Sequence, residues 1–174
     1  MITYFTSDFH LFHDNGIKVF SRPFADVDEM WEVIKSNWNN TVTPEDDVWF
    51  LGDLTLKGRQ FLPKLTEMIH SLNGTKFLVR GNHDKFTDSE YRDMGFSDCM
   101  NFGELSYGPY MYHDPQAANE LPSGDILLCG HVHNQFRTLT TLNGIKIFNV
   151  GVDANNFAPI TYETIMYILR GLKQ

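Results

Sequence analysis

Five short apolar runs in this chain end directly in residues whose side chains can bind a metal ion. The runs cover residues 2–6, 47–51, 76–79, 110–112 and 126–129. The polar side chains that follow them are Asp8, His10, Asp53, Asn82, His83, Asp84, His113, His131 and His133. Strands of an α/β sheet present the residues after their carboxyl ends to one crevice. If the runs are strands of one fold, these side chains converge and predict a metal site.

The length and composition predict one globular domain that spans residues 1–174. A chain of 174 residues with 42% hydrophobic content can bury a real core but is short for two domains. Cys99 and Cys129 lie in apolar stretches without Cys-x-x-Cys spacing, so we expect packed thiols in a reducing cytoplasm. The sequence shows neither a signal-peptide pattern nor an apolar run of ~18 residues, so we expect no membrane association.

The net charge of the chain indicates which kinds of binding partner are favoured. The formal net charge is −8, whereas proteins that bind nucleic acid through its backbone are usually basic. Long DNA or RNA is therefore disfavoured as a partner, whereas a small phosphorylated substrate is compatible with this charge. Bound divalent cations would reverse the local charge at a site that holds them.

Hydrophobic periodicity predicts helices and strands that alternate through the first half of the chain. One helix begins near Asp26 and Glu29, which are placed like a capping pair, and a second spans residues 61–72. Shorter strands follow from Phe96, with a hairpin turn at Asn143-Gly144, and Thr161 caps a final helix. The βαβαβ start followed by hairpins suggests two sheets packed together and flanked by helices.

The spacing within the first and last motifs suggests how their side chains are arranged. In an extended segment, Asp8 and His10 lie on the same side of the strand and can meet one cation. His131 and His133 can do the same, or a turn can divide them between two adjacent cations. Asp53 offers two carboxylate oxygens, so it can bridge two metals.

Taken together, the motifs resemble those of the calcineurin-like metallophosphoesterases. The matching strings are Asp8-Phe9-His10, Gly52-Asp53, Gly81-Asn82-His83-Asp84, His113 and Gly130-His131-Val132-His133, in the family's order. The string from Ser7 to Asn15, with Ser21-Arg22-Pro23-Phe24, resembles a small bacterial and phage branch without a cap domain.

The resemblance implies a four-layer α-β-β-α sandwich with two mixed β-sheets, and a dinuclear metal centre. It implies one metal held by Asp8, His10, Asp53 and His133, and a second held by Asp53, Asn82, His113 and His131. Mixed Asp, Asn and His ligands suit manganese first, and also iron, nickel, cobalt or zinc. We hypothesise that a metal-bound hydroxide attacks the phosphorus of the substrate.

Six other side chains have candidate roles. We expect His83 to be free of metal and to donate to the phosphoryl oxygen or the leaving group, with Asp84 orienting it. His13 and Asn15 can reach the substrate or can stabilise their own loop. Arg22 and Arg80 can each donate two hydrogen bonds to a phosphate or can be solvated surface residues.

The reading favoured by the sequence is a metal-dependent phosphoesterase that acts on a phosphodiester of a small nucleotide-like substrate. A nuclease is the alternative of the same chemistry. A non-catalytic interaction module on the same fold is the alternative from another class, and the presence of every ligand and of His83 argues against it.

Overall fold

The computed structural model describes residues 1–106 and 108–171. Its first sheet has five strands in the order β10-β1-β2-β3-β4. Their bounds are Thr3–Thr6 for β1, Asp47–Phe50 for β2, Thr75–Val79 for β3, Phe96–Met100 for β4 and Ile160–Thr161 for β10. The strands β1 to β4 are parallel, and β10 pairs antiparallel with β1. The parallel pairing brings the carboxyl ends of β1, β2 and β3 to one edge.

The second sheet also has five strands, in the order β5-β6-β7-β9-β8. Their bounds are Gly103–Glu104 for β5, Tyr110–Met111 for β6, Ile126–Cys129 for β7, Thr138–Thr140 for β8 and Lys146–Asn149 for β9. The central strands β6, β7 and β9 are parallel, and the two edge strands are antiparallel. Both sheets are therefore mixed, as expected.

Five α-helices complete the described fold: α1 Asp14–Val19, α2 Val27–Thr41, α3 Leu62–His70, α4 Asp88–Asp93 and α5 Tyr162–Gly171. The side chain of Asp26 caps α2 by accepting hydrogen bonds from the backbone of Asp28 and Glu29, as the sequence predicts. Within the described ranges no helix is long and apolar enough to cross a membrane.

Alternating strand residues divide the interior into three apolar layers. Tyr4 and Phe50 face a core formed with α2, α3 and α4 on the outside of the first sheet. Phe5 and Leu128 belong to the core between the two sheets, which α5 closes. The outer face of the second sheet packs on the 3-10 helix Pro115–Glu120. The four-layer fold is confirmed, with a single short 3-10 helix on its thinnest side.

Two short strands and one short α-helix were absent from the sequence prediction. The strands β5 and β10 have two residues each, and α1 has six. Segments this short give no periodic hydrophobic pattern, and the N-cap residue of α1, His13, makes no side-chain capping hydrogen bond. The two strands are defined by their pairing with β6 and β1 in the folded chain and not by their own sequences.

Candidate metal centre

The candidate ligands lie in the loops that follow β1, β2, β3, β6 and β7, in the crevice where the edges of the two sheets meet. The structure brings together all seven side chains that were assigned to metals: Asp8, His10, Asp53, Asn82, His113, His131 and His133. Five of the seven are buried or half-buried, and Asn82 and His131 are exposed at the rim.

The backbone of five of these residues is left-handed. The φ angles are 62° at Asp8, 50° at His10, 59° at Asp53, 70° at His131 and 48° at His133. This region costs a residue other than glycine on the order of 1–3 kcal/mol, and it concentrates at functional sites. Asp8 and His10 therefore converge through sharp turns after β1. The expected extended geometry is wrong, although the pairing of the two side chains is right.

We call Asp8, His10 and His133 the first donor group. One nitrogen or oxygen atom from each of the three lies within 4.8 Å of the others. The Nε2 atom of His10 is 3.8 Å from Oδ1 of Asp8 and 3.6 Å from Oδ2 of Asp53. The carboxylate of Asp53 is thus in reach of this group.

We call Asp53, Asn82, His113 and His131 the second donor group. Oδ1 of Asn82 is 3.1 Å from Nε2 of His113 and 3.0 Å from Nδ1 of His131. Nε2 of His113 is 3.3 Å from Oδ2 of Asp53. His131 and His133 are therefore divided between the two groups, which was one of the two arrangements that the sequence left open.

The first donor group fits a divalent cation because the ring nitrogens of His10 have no hydrogen-bond partner among the described residues. Both ring nitrogens of His10 are buried without a hydrogen bond, and an unpaired buried polar group is unfavourable. Burial lowers the pKa of His10 to about 3, so its ring is neutral, which is the form that ligates metals.

The electrostatics of the second donor group also favour a bound cation. Burial opposes the charge on His113, yet the carboxylates of Asp53 and Asp8 raise the pKa of His113 to about 9. Burial likewise opposes the charge on Asp53, but His113 lowers the pKa of Asp53 to about 2. Nδ1 of His113 donates to the carbonyl of Leu51 at 2.7 Å, which leaves Nε2 facing the group. A positive charge is favoured at this position, and a divalent cation would supply it.

Glycine permits the close approach of the loops after β2 and β3. Gly52 has φ +87°, and a Cβ atom there would lie 2.6 Å from Cα of Gly81 and 2.8 Å from Nδ1 of His113. Any larger residue at Gly52 would push these loops apart and separate Asp53 from Asn82.

His83 lies on the open side of the two groups. Its side chain is 40% exposed, and its Nε2 is 3.9 Å from Oδ2 of Asp53. Its ring centroid is 5.7 Å from that of His10. His83 is therefore close enough to act on a group held at Asp53 and remains accessible from solvent.

Asp84 has a different role from the one expected. Its buried carboxylate accepts hydrogen bonds from the backbone N–H groups of Asp53 (2.8 Å), Leu54 (3.1 Å) and Gly81 (2.8 Å). The expectation that Asp84 orients the His83 ring is wrong, because both of its oxygens bind these backbone groups. Asp84 fixes the loops that carry Asp53 and Asn82.

Arg22 is also corrected, because it is buried and fully engaged within the protein. Its guanidinium forms a two-point ion pair with Asp153, with both N–O distances 2.8 Å, and donates to the carbonyls of Asp8 (2.6 Å) and Phe9 (2.8 Å). It is not available to a phosphate. It fixes the turn that carries the first donor group instead.

Asp153 is a site residue that the sequence reasoning missed. Its Oδ2 accepts a hydrogen bond from Nδ1 of His133 at 2.8 Å, which leaves Nε2 of His133 for a metal. Burial opposes its ionisation, but the hydrogen bonds from His133 and Arg22 lower the pKa of Asp153. A signal existed: Asp153 follows the apolar run 145–150 after a glycine, which is the pattern of the other motifs.

The remaining substrate candidates lie near the site but differ in their availability. Arg80 donates to the carbonyl of Phe86 at 2.8 Å and to the carboxylate of Asp88. The guanidinium nitrogens expected to bind a phosphate therefore bind protein groups. His13 is half-buried, with its ring centroid 5.9 Å from that of His10. Asn15 is exposed on α1. The substrate roles of His13 and Asn15 stay predictions.

Comparison with known proteins identifies the family. Residues 1–152 match the family model described as calcineurin-like phosphoesterase. The chain belongs to the calcineurin-like phosphoesterase family. This phosphoesterase is accordingly a hydrolase for metal-dependent cleavage of phosphoesters, and the two donor groups are its candidate metal sites.

The chain is also similar to three other proteins. An uncharacterised protein of Methanocaldococcus jannaschii is 33% identical over 171 residues, which cover 95% of the phosphoesterase and 90% of the relative. The crystal structure of a protein of unknown function from Aquifex aeolicus superposes with a TM-score of 0.71 at 25% identity, covering 96% and 98% of the two chains. The nuclease MPE of Pseudomonas putida gives a TM-score of 0.50 at 18% identity over 83% and 66%, and so shows a shared fold alone.

Replacing Asp153 is expected to weaken metal binding by the phosphoesterase. Asp153→Asn removes the charge that holds His133 and Arg22, and residues behind metal ligands are typically worth about 10–100-fold in affinity. Titration calorimetry with Mn²⁺ measures the change, and thermal unfolding without metal checks the fold. Asp93→Asn, an exposed carboxylate at the end of α4, is the matched control. Wild-type affinity in Asp153→Asn would show that the charge of Asp153 has no influence on metal binding.

Proposed function

We propose that this phosphoesterase hydrolyses a phosphodiester of a small nucleotide-like substrate at a dinuclear centre. One observation carries the proposal: the two donor groups meet at the carboxylate of Asp53, and the accessible imidazole of His83 lies beside it. Two adjacent cation sites with a free acid–base side chain can support in-line phosphoryl transfer.

The first donor group and Asp53 would hold one divalent ion, and the second donor group would hold the other. Such a pair, with manganese as the first choice, neutralises phosphoryl charge and makes a nearby water acidic enough to react near neutral pH.

The protein's own residues then position the substrate and move the proton. His83 donates a hydrogen bond to the phosphoryl oxygen or a proton to the leaving oxygen, because it lies beside Asp53 and is 40% exposed. Asp84, Asp153 and Arg22 do not touch the substrate. They fix the loops and rings around it, so the ligands need not reorganise during the reaction.

A small substrate is favoured over a long nucleic acid by charge. The net charge is −8, and two arginines considered as phosphate ligands, Arg22 and Arg80, bind protein carboxylates instead. A polyanion needs an extended cationic surface. A single phosphodiester needs only the cation pair and His83.

A substrate panel tests the proposal. Bis-p-nitrophenyl phosphate, p-nitrophenyl phosphate, 2′,3′- and 3′,5′-cyclic nucleotides and single-stranded DNA are assayed after chelation, with and without added Mn²⁺. We expect turnover that depends on Mn²⁺ and is faster for small diesters than for the monoester. Preferred cleavage of single-stranded DNA would favour a nuclease. An absence of metal-dependent hydrolysis of every substrate would favour the non-catalytic interaction module.

A further inference from the structure

A cavity of about 680 Å³ opens directly beside the second donor group. Asn82, His113 and His131 form the end at the candidate metal site. The far end is built from the loop after β4 and from the 3-10 helix Pro115–Glu120, which covers the second sheet. A molecule bound at the metal centre would therefore have one side directed into this cavity.

The size of the cavity exceeds what a phosphoryl group needs. Binding sites for small molecules and cofactors usually measure about 300–1,000 Å³. A cavity of about 680 Å³ has room for a phosphate ester together with a substituent as large as a nucleoside.

The far end offers amide groups and an aromatic ring. Asn101, Gln116 and Asn119 line it with side chains that can both donate and accept hydrogen bonds. Tyr112 also lines the cavity, with its ring stacked on that of Phe102 at a centroid distance of 5.6 Å and an interplanar angle of 15°. Amides and aromatic faces are the groups that bind an uncharged heterocyclic base.

The charges in the cavity disfavour a second anion. The carboxylates of Asp114 and Glu120 line the cavity, together with that of Asp84, which accepts hydrogen bonds from backbone N–H groups. Arg80 is the sole Lys or Arg among the described lining residues, and it is paired with Asp88 and the carbonyl of Phe86. An additional phosphate in this position would meet unbalanced negative charge.

We propose that this cavity binds the nucleoside part of the substrate and rejects a nucleoside that carries a further phosphate. The inference rests on the proposed function, since that places the scissile phosphate at the donor groups. The inferred substrate is a phosphodiester with one nucleoside substituent that carries no other phosphate. A nucleoside with a further phosphate and an internal position in a polynucleotide are both excluded.

Equilibrium binding tests the cavity without requiring turnover. Methyl phosphate, thymidine 5′-monophosphate and thymidine 3′,5′-bisphosphate are titrated into the Mn²⁺-loaded protein by calorimetry. We expect the monophosphate to bind about tenfold tighter than methyl phosphate, because the nucleoside adds stacking and hydrogen bonds. We expect the bisphosphate to bind about tenfold weaker than the monophosphate, because its second phosphate faces two carboxylates.

Charge-removing variants locate the effect. Asp114→Asn combined with Glu120→Gln should reduce the difference between monophosphate and bisphosphate to about twofold, since the repulsion is lost. The asparagine can still accept the hydrogen bond that Asp114 receives from the backbone of Gln116. Glu67→Gln on α3, which lies outside the cavity lining, should leave the wild-type difference unchanged.

The results separate this inference from the proposed function. Equal or tighter binding of the bisphosphate to the wild type, or an unchanged difference in the double variant, would overturn the cavity proposal even if the protein hydrolyses small diesters. Selective binding of the monophosphate would uphold the cavity proposal even if no substrate in the panel were hydrolysed, and only the proposed catalysis would then be wrong.

Discussion

Replacing Asp53 with alanine is expected to abolish metal binding at both donor groups and, with it, hydrolysis. Oδ2 of Asp53 is 3.6 Å from Nε2 of His10 and 3.3 Å from Nε2 of His113, so one carboxylate serves both groups. Residues behind a ligand are worth about 10–100-fold in metal affinity, so a shared ligand should be worth roughly a hundredfold or more. Manganese content after equilibrium dialysis and turnover of bis-p-nitrophenyl phosphate measure the two losses.

The matched control is Asp98→Ala, which removes an exposed carboxylate from β4. It should retain the wild-type manganese content and turnover. An Asp53→Ala protein that still bound two manganese ions per chain would contradict the shared position of this carboxylate. Loss of one ion alone would assign Asp53 to a single group.

Replacing His83 with alanine is expected to reduce kcat by about 10²–10⁴-fold, the usual contribution of a positioned acid or base. Metal content should stay at the wild-type level, because the candidate ligands come from other side chains. Thermal stability should change little, because the side chain is 40% exposed. Steady-state kinetics, elemental analysis and a melting curve measure these three quantities.

His70→Ala provides the comparison for His83. His70 is exposed, ends α3, and interacts with the carbonyl of Asp93 at 3.2 Å. Removing it should leave kcat unchanged. Wild-type turnover in His83→Ala would exclude the proposed acid role, and a loss of metal would instead identify His83 as a ligand.

The sequence predicted the longer strands and the identities of the grouped side chains because both depend on local signals. An apolar run such as Ile126–Cys129 forms a buried strand, and the sequence itself shows which residues follow the carboxyl end of that strand. The parallel pairing of β1, β2 and β3 then brings Asp8, Asp53 and Asn82 to one edge. Predicting this convergence does not require knowing the hydrogen-bond partner of each side chain in the folded protein.

The partners of the supporting side chains could not be predicted, because they depend on contacts between distant segments. Arg22 and Asp153 are 131 residues apart in the chain and form a two-point ion pair. Asp84 adjoins His83 in sequence, yet its carboxylate binds the backbone of Asp53, 31 residues away. Adjacency suggested the wrong partner for Asp84, and nothing local distinguished Arg22 from a surface arginine.

The turns that carry the ligands were equally hidden. Asp8 and His10 follow β1 directly, so an extended continuation with alternating side chains was the simplest expectation. Their φ angles of 62° and 50° show instead two left-handed positions with Phe9 between them. Arg22 stabilises this turn by donating hydrogen bonds to the backbone carbonyls of Asp8 and Phe9. No local sequence pattern specifies these hydrogen bonds.

Anomalous X-ray diffraction at the manganese edge, from crystals grown with Mn²⁺, tests the two-metal centre most directly. We predict two peaks about 3.5–4 Å apart, one bound by Asp8, His10 and His133 and the other by Asn82, His113 and His131, with Asp53 between them. A single peak, or two peaks without Asp53 in contact with both, would contradict the dinuclear centre.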